Sequence, residues 1–217
     1  YVEYRYSFQQ FESEPDRVLN IELEPAITRR IAVVTPAGMP IAGATVVDET
    51  GNARAPWLTG ADGTAAIPLR QNEQKILYVF PKEGSLAVAR VAPTGSDTND
   101  VIKIVVPQGE ADLSIRAESD EGEPIANAAF IIRVNGELLP AAVIAIAEQV
   151  QGQRLRTDGT GTAMLYKLPA GLIELWPYFS AQDARSIKQG TGPAPKAQIN
   201  IRPGLNQIKL TFAPYAP

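Results

Sequence analysis

The chain contains neither cysteine nor histidine. Without cysteine no disulfide holds the fold, and cysteine usage gives no guide to the compartment. Without histidine the commonest general base and the commonest transition-metal ligand are both missing. Ser-His triads and His-based zinc or iron sites are therefore excluded, while carboxylate and tyrosine chemistry remain open. Long runs of one charge are lacking too. Twenty basic residues face 24 acidic ones for a net charge of −4, so there is no footprint for a nucleic-acid phosphate backbone. The longest apolar stretch, Leu138 to Ala147, is about half the length a bilayer-spanning helix requires. The chain begins at Tyr1 with neither an initiator methionine nor a signal peptide, which reads as a processed product or an excised fragment.

What is present is a repeat. Gly38-Met39-Pro40-Ile41-Ala42-Gly43-Ala44-Thr45-Val46 precedes Thr59-Gly60-Ala61-Asp62-Gly63-Thr64-Ala65. Later, Gly122-Glu123-Pro124-Ile125-Ala126-Asn127-Ala128-Ala129-Phe130 precedes Thr157-Asp158-Gly159-Thr160-Gly161-Thr162-Ala163. The 18 prolines and 17 glycines are spread between short apolar runs, the pattern of a strand-rich fold with many turns. The expected fold class is all-β: two tandem β-sandwich modules, Ig-like in their strand spacing, with an extra N-terminal strand. Residues 1–27 form an N-terminal strand segment, 28–108 the first module, and 109–217 the second. Gly38 and Gly122 lie 84 positions apart but Thr59 and Thr157 lie 98 apart, so the second module carries 14 extra residues, placed within 134–153. An additional hairpin strand is the favoured reading of that insertion, a short helix the alternative.

Expected strands include Arg30 to Val34, Ala44 to Val47, Lys75 to Phe80, Leu86 to Val91 and Val101 to Val106 in the first module. The second supplies Ala111 to Arg116, Ala128 to Val134, Thr162 to Leu165, Leu172 to Trp176 and Gln207 to Phe212. Asp62-Gly63 is read as a tight hairpin turn, and Asp158 and Gly159 as turn-forming in the second module. Asn135-Gly136 marks another turn. At the N-terminus Val2, Tyr4, Tyr6 and Phe8 alternate with Glu3, Arg5, Ser7 and Gln9, the period of a half-buried strand.

The pattern Pro-Ile-Ala-Gly-Ala-Xaa-Val, then Thr-Xaa-Xaa-Asp-Gly-Xaa-Ala, with Leu168-Pro169-Ala170-Gly171 in the second half, resembles the carboxypeptidase regulatory-like domains. These share a seven-stranded transthyretin-like sandwich with the B-type repeats of collagen-binding adhesins. The resemblance covers roughly Arg29 to Pro107 and Ala111 to Pro214. It implies an extracellular, cell-surface or periplasmic accessory or spacer module of a prokaryotic protein, with no catalytic centre and no cofactor. Some adhesin-type relatives join a first-strand lysine to a last-strand Asn or Asp. Arg30 to Val34 and Leu113 to Arg116 contain no lysine, so no such crosslink is expected.

Function is expected to be structural or adhesive and non-enzymatic: a spacer, a scaffold, or a polymer subunit joined through sheet edges. The partners would be other copies of the chain or neighbouring modules of a longer one. Val2, Tyr4, Tyr6 and Phe8 would supply a donated strand, through backbone hydrogen bonds to a neighbouring sheet edge, or would fold back on their own module. The rival reading is a carbohydrate- or protein-binding module in which Trp57, Trp176, Tyr178 and Phe179 contact a glycan or a surface protein. Against it, aromatics of small sandwiches commonly lie in the core. The acidic clusters lack calcium-loop spacing, and no metal site is expected.

Overall fold

The computed structural model describes residues 26–49, 56–70, 74–92, 101–152, 155–178, 185–187 and 189–212. The expected N-terminal strand with Val2, Tyr4, Tyr6 and Phe8 lies outside the described residues, as does Phe179.

Apolar residues at alternate positions give strands that bury one face. In the first half these are β1 (Ala26–Val34), β2 (Thr45–Asp48), β3 (Trp57–Leu58), β4 (Thr64–Arg70), β5 (Lys75–Phe80), β6 (Ala87–Val91) and β7 (Val101–Val105). They form a three-stranded sheet β4-β1-β7 and a four-stranded sheet β3-β2-β5-β6. The second half runs β8 (Glu110–Ser119), β9 (Ala129–Val134), β10 (Glu137–Leu139), helix α1 (Ala141–Gln151), β11 (Thr162–Pro169), β12 (Gly171–Tyr178), β13 (Ala197–Ile201) and β14 (Gly204–Phe212). Its sheets are β11-β8-β14 and β10-β9-β12-β13. The strand order of the first half thus recurs, and in each half the last strand pairs in parallel with the first, β7 with β1 and β14 with β8. The architecture is a β-sandwich. Strand β13 had no counterpart in the sequence reading, because its half-buried Ala197, Ile199 and exposed Gln198, Asn200 give only a weak alternation.

The repeated motif has a physical cause. Thr59 Oγ1 accepts the Ala44 N–H at 2.9 Å and donates to the Ile41 carbonyl at 2.7 Å. Thr157 Oγ1 accepts the Ala128 N–H at 2.8 Å and donates to the Ile125 carbonyl at 2.6 Å. A buried hydroxyl satisfied in both directions ties the turn after each first strand to the start of the next.

Beside it, the Gly63 carbonyl accepts the Val33 N–H and the Gly161 carbonyl accepts the Ala117 N–H, both at 2.8 Å. Both glycines have left-handed backbones, with φ of +72° and +75°. A Cβ would lie 2.7 Å from the Val33 oxygen or 2.6 Å from that of Ala117.

Two expectations are corrected here. Asp62-Gly63 is not the turn of a paired hairpin: β3 pairs with β2 in one sheet, whereas β4 pairs with β1 in the other. The turn hands the chain across the sandwich. The counterpart of Gly63 is Gly161, the residue the 98-position offset sets against it. Asp158 and Gly159 do lie in the turn, whose Gly161 N–H donates to the Asp158 carbonyl at 2.9 Å, but Gly159 has no positive φ and an added Cβ meets nothing within 4 Å.

The 134–153 insertion is mainly helix, not strand. Only β10 extends the sheet, after the expected turn at Asn135 (φ 51°) and Gly136 (φ 85°). Burial at 143, 144, 146 and 147 with Ala145 exposed is a helical face. The alanine-rich composition of 141–147 favours that state, and Pro140 starts the helix while left-handed Gly152 closes it.

Gly63→Ala and Gly161→Ala should each lower unfolding free energy by about 2 to 3 kcal/mol, through left-handed strain and carbonyl overlap. Gly159→Ala should change it by less than about 0.5 kcal/mol. Urea denaturation of the three variants measures the contrast.

Candidate functional site: the joint between the two halves

Strand β5 is where the two halves meet. Its Leu77, Tyr78, Val79 and Phe80 are all buried, so it reads as a continuous apolar run rather than an alternating one. Such a run marks a strand covered on both faces. Leu77 and Val79 belong to the core of the first half, with Ile31, Val33, Ile67 and Leu69. Tyr78 and Phe80, together with Val47 and Leu86, belong instead to the core of the second half, with Leu113, Ile115, Ile132, Val143 and Leu165. The insertion supplies part of the cover, for α1 packs against β5.

Polar contacts fix this arrangement. The Tyr78 hydroxyl donates to the Leu138 carbonyl on β10 at 2.7 Å. Burial pushes the phenol well above its usual range, with Glu137 and Glu49 adding to the effect. Arg90 of β6 reaches Glu137 with Nη2 at 2.6 Å and Nε at 3.0 Å from the same oxygen.

Residues between β5 and β6 dock on the start of the second half. The Gly84 N–H donates to Glu110 Oε1 at 2.7 Å, and the Ser85 hydroxyl to the Gly109 carbonyl at 2.9 Å. The Leu86 N–H donates to the Lys167 carbonyl at 2.8 Å. Lys167 is itself left-handed at φ 55°, within the irregularity that shifts β11 between Leu165 and Leu168. Its N–H donates to Asp112 Oδ1 at 3.1 Å, and its Nζ to the Lys82 carbonyl at 2.6 Å. A bulge re-aims a side chain, and here it turns a lysine from the second half onto the backbone of the first.

Sequence reasoning missed these residues. The unbroken apolar run at 77–80 was the available signal. Nothing local marks Lys167, whose role depends on a partner 85 positions away.

The residues singled out from sequence sit elsewhere. Trp57 is half-buried against the first core, with Lys75 Nζ 6.0 Å from its ring centroid. That lysine also pairs with the buried Asp48 at 2.9 Å. Trp176 presents little of its surface to solvent. It is buried with Ile131 and Ile187, its Nε1 donates to the Pro193 carbonyl at 2.9 Å, and the Arg133 guanidinium lies 5.1 Å from its ring centroid. Tyr178 ends β12, but its side chain lies outside the described residues. The two tryptophans are on different halves and pack in different clusters.

Asp62 and Asp158 serve their own turns. Asp62 Oδ1 accepts the Thr64 N–H at 3.0 Å, and this bond, with the Thr64 hydroxyl, holds the carboxyl below the usual range. Asp158 Oδ1 accepts the N–H groups of Thr160 and Thr162 at 2.8 and 3.1 Å. Among the described residues no helix is long and apolar enough to cross a membrane.

These features define a β-sandwich protein whose two halves share a core across a hydrogen-bonded joint. No family model matches the chain, and no curated protein matches it. Among solved structures it is similar to a minor pilin of the Gram-positive pathogen Streptococcus agalactiae, at 13% identity and a TM-score of 0.39, over 87% of this chain and 99% of that one. The shaft pilin of Lactobacillus rhamnosus GG gives 9% identity and 0.33, over 89% and 99%. The major pilin subunit of Bacillus cereus gives 10% and 0.28, over 87% and 58%. The fold assignment rests on the strand pairing itself.

Tyr78→Phe should lower stability by about 1 kcal/mol by stranding the Leu138 carbonyl, and Tyr78→Ala by about 3 to 5 kcal/mol through the cavity it leaves. The phenol is protonated in the folded chain to higher pH than in the unfolded one, which ionises near pH 10. Its contribution is therefore complete below about pH 10 and falls as pH rises beyond that towards the folded value. Denaturation midpoints of the wild type should drop relative to Tyr78→Phe from about pH 10 upward.

Proposed function

We propose that this chain is a non-enzymatic structural or adhesive unit of a secreted or cell-surface protein, in which two transthyretin-like modules, 28–108 and 109–217, act as one stiff body. The observation that carries the reading is β5, buried on one face in each core. Two beads on a flexible linker would each bury their own strands. Here, separating the halves would expose Tyr78, Phe80, Leu86 and Val47 together, at roughly 1.5 to 3 kcal/mol for each large side chain. That is far more than an ordinary hinge opposes.

The parallel pairing of first and last strands suits a load-bearing role. β1 and β7 lie side by side and point the same way, as do β8 and β14. Tension entering one half at its first strand and leaving at its last pulls the two strands lengthwise in opposite directions. All the ladder hydrogen bonds resist together instead of opening one at a time. The coarse role, a structural or adhesive element, is supported by stiffness and shear-loaded strands; spacer, scaffold and polymer subunit are finer versions of it.

End-to-end pulling of single molecules tests the proposal. The expected trace is stiff up to an abrupt rupture. A soft extension at low force before the first rupture would show a hinged linker and overturn the stiff-body reading. Lys167→Gly, which tolerates the left-handed backbone but removes the side chain that holds Lys82, should introduce part of that softness.

A further inference from the structure

The four sheet ends of the two three-stranded sheets are not equally guarded. Strand β4 carries Pro68, and β11 is shifted between Leu165 and Leu168 and ends in Pro169. Proline and irregular pairing are the usual protections of an edge. Strand β7 is only five residues long. Strand β14 has none of these limits: nine residues, no proline, and unbroken register with β8 from Gly204↔Ala111 to Phe212↔Ser119. Among the described residues nothing pairs with its other side.

The direction of its backbone groups follows from one bond. The Phe212 carbonyl accepts the Asp120 N–H at 3.1 Å, just beyond β8. In a parallel ladder both backbone groups of a residue face the same neighbour, and successive residues alternate. Ile208, Leu210 and Phe212 therefore bond to β8, while Leu205, Gln207, Lys209 and Thr211 present their amides to the open edge. The inner row is apolar up to that edge: Leu210 and Phe212 are buried and Ile208 is half-buried against the core.

We propose that the open edge of β14 accepts, as an added strand, the segment Val2 to Phe8 of a second copy of this chain. The inference rests on the structural reading above and names the surface through which such a unit would assemble. Three features select the occupant. Val2, Tyr4, Tyr6 and Phe8 form an apolar row with the period of two that would continue Ile208, Leu210 and Phe212. The seven-residue segment fits within the nine residues of β14 but overruns the five of β7. Residues 9–25 separate it from β1 and, extended, reach at most roughly 60 Å, enough to leave its own chain. The polar row Glu3, Arg5 and Ser7 brings one charge of each sign to an outer face where Arg116 and Lys209 flank the carboxylate of Glu118. No like-charge barrier opposes the pairing.

Two full-length variants disable the two surfaces separately. Tyr4→Lys/Tyr6→Lys places charge in the apolar row of the segment. Gln207→Pro removes an amide that faces the open edge and leaves the ladder to β8 in place. Thermal denaturation checks that both fold. In light scattering the wild type should show a mass above one chain that rises with concentration, and each variant should stay at the mass of one chain. A mixture of the two variants retains one intact segment and one intact edge, so it should stop at two chains.

A wild type that remains at one chain, assembly that survives either variant, or a mixture that stays monomeric would each overturn the proposal. The pulling experiment on single molecules is independent of assembly. A stiff trace with no assembly removes the β14 pairing alone, whereas a soft trace removes the stiff-body reading itself.

Discussion

The structure depends on one strand serving two cores. In β5, Leu77 and Val79 face inward to the first sandwich, while Tyr78 and Phe80 point outward into the second. An ordinary sandwich strand exposes its outer row to water. Here that row is covered, and everything else at the joint supports the cover. Helix α1 closes over it, the Tyr78 hydroxyl is satisfied by the Leu138 carbonyl, and the loop after β5 is bonded through Gly84, Ser85 and Leu86 to Glu110, Gly109 and Lys167. Apolar burial supplies the free energy, and the hydrogen bonds supply direction, since each contributes only about 1 kcal/mol net but is expensive to leave unmade.

The same economy of means explains the internal repeat. Each half has to bring the chain from one sheet to the other immediately after a short edge segment, and each does so with a threonine bonded in two directions and a left-handed glycine pressed against a carbonyl. A side chain at Gly63 or Gly161 would occupy the space of the Val33 or Ala117 oxygen. What looks in sequence like a pair of Asp-Gly turns is in space a pair of sheet-to-sheet crossings. The aspartates hold the turns, and the glycines permit the approach.

The halves differ where they meet. The extra residues of the second half become β10 and α1, which lie beside β5 rather than out in solvent. The departure of β11 from regular pairing places left-handed Lys167 opposite Lys82. Backbone irregularity of this kind persists only where the surroundings hold it in place. Here they do: the Lys167 N–H is bonded to Asp112, its carbonyl to Leu86 and its amine to Lys82.

Composition, period and turn chemistry determined the class of fold, the existence of a repeat, most strand positions and the Asn135-Gly136 turn, because these depend on neighbours in the chain. The repeat comparison also located the insertion, but not its conformation. Val143, Ile144 and Ile146 satisfy either a strand or a helix, and the choice came from which positions found cover against β5. Tertiary structure alone decided that Asp62-Gly63 joins two sheets, that Trp176 is sealed by its contacts with Ile187 and Pro193, and that Tyr78 and Lys167 fasten one half to the other. A side chain's period is written in the sequence around it. The surface it meets belongs to residues far away in the chain, so it exists only once both halves have folded.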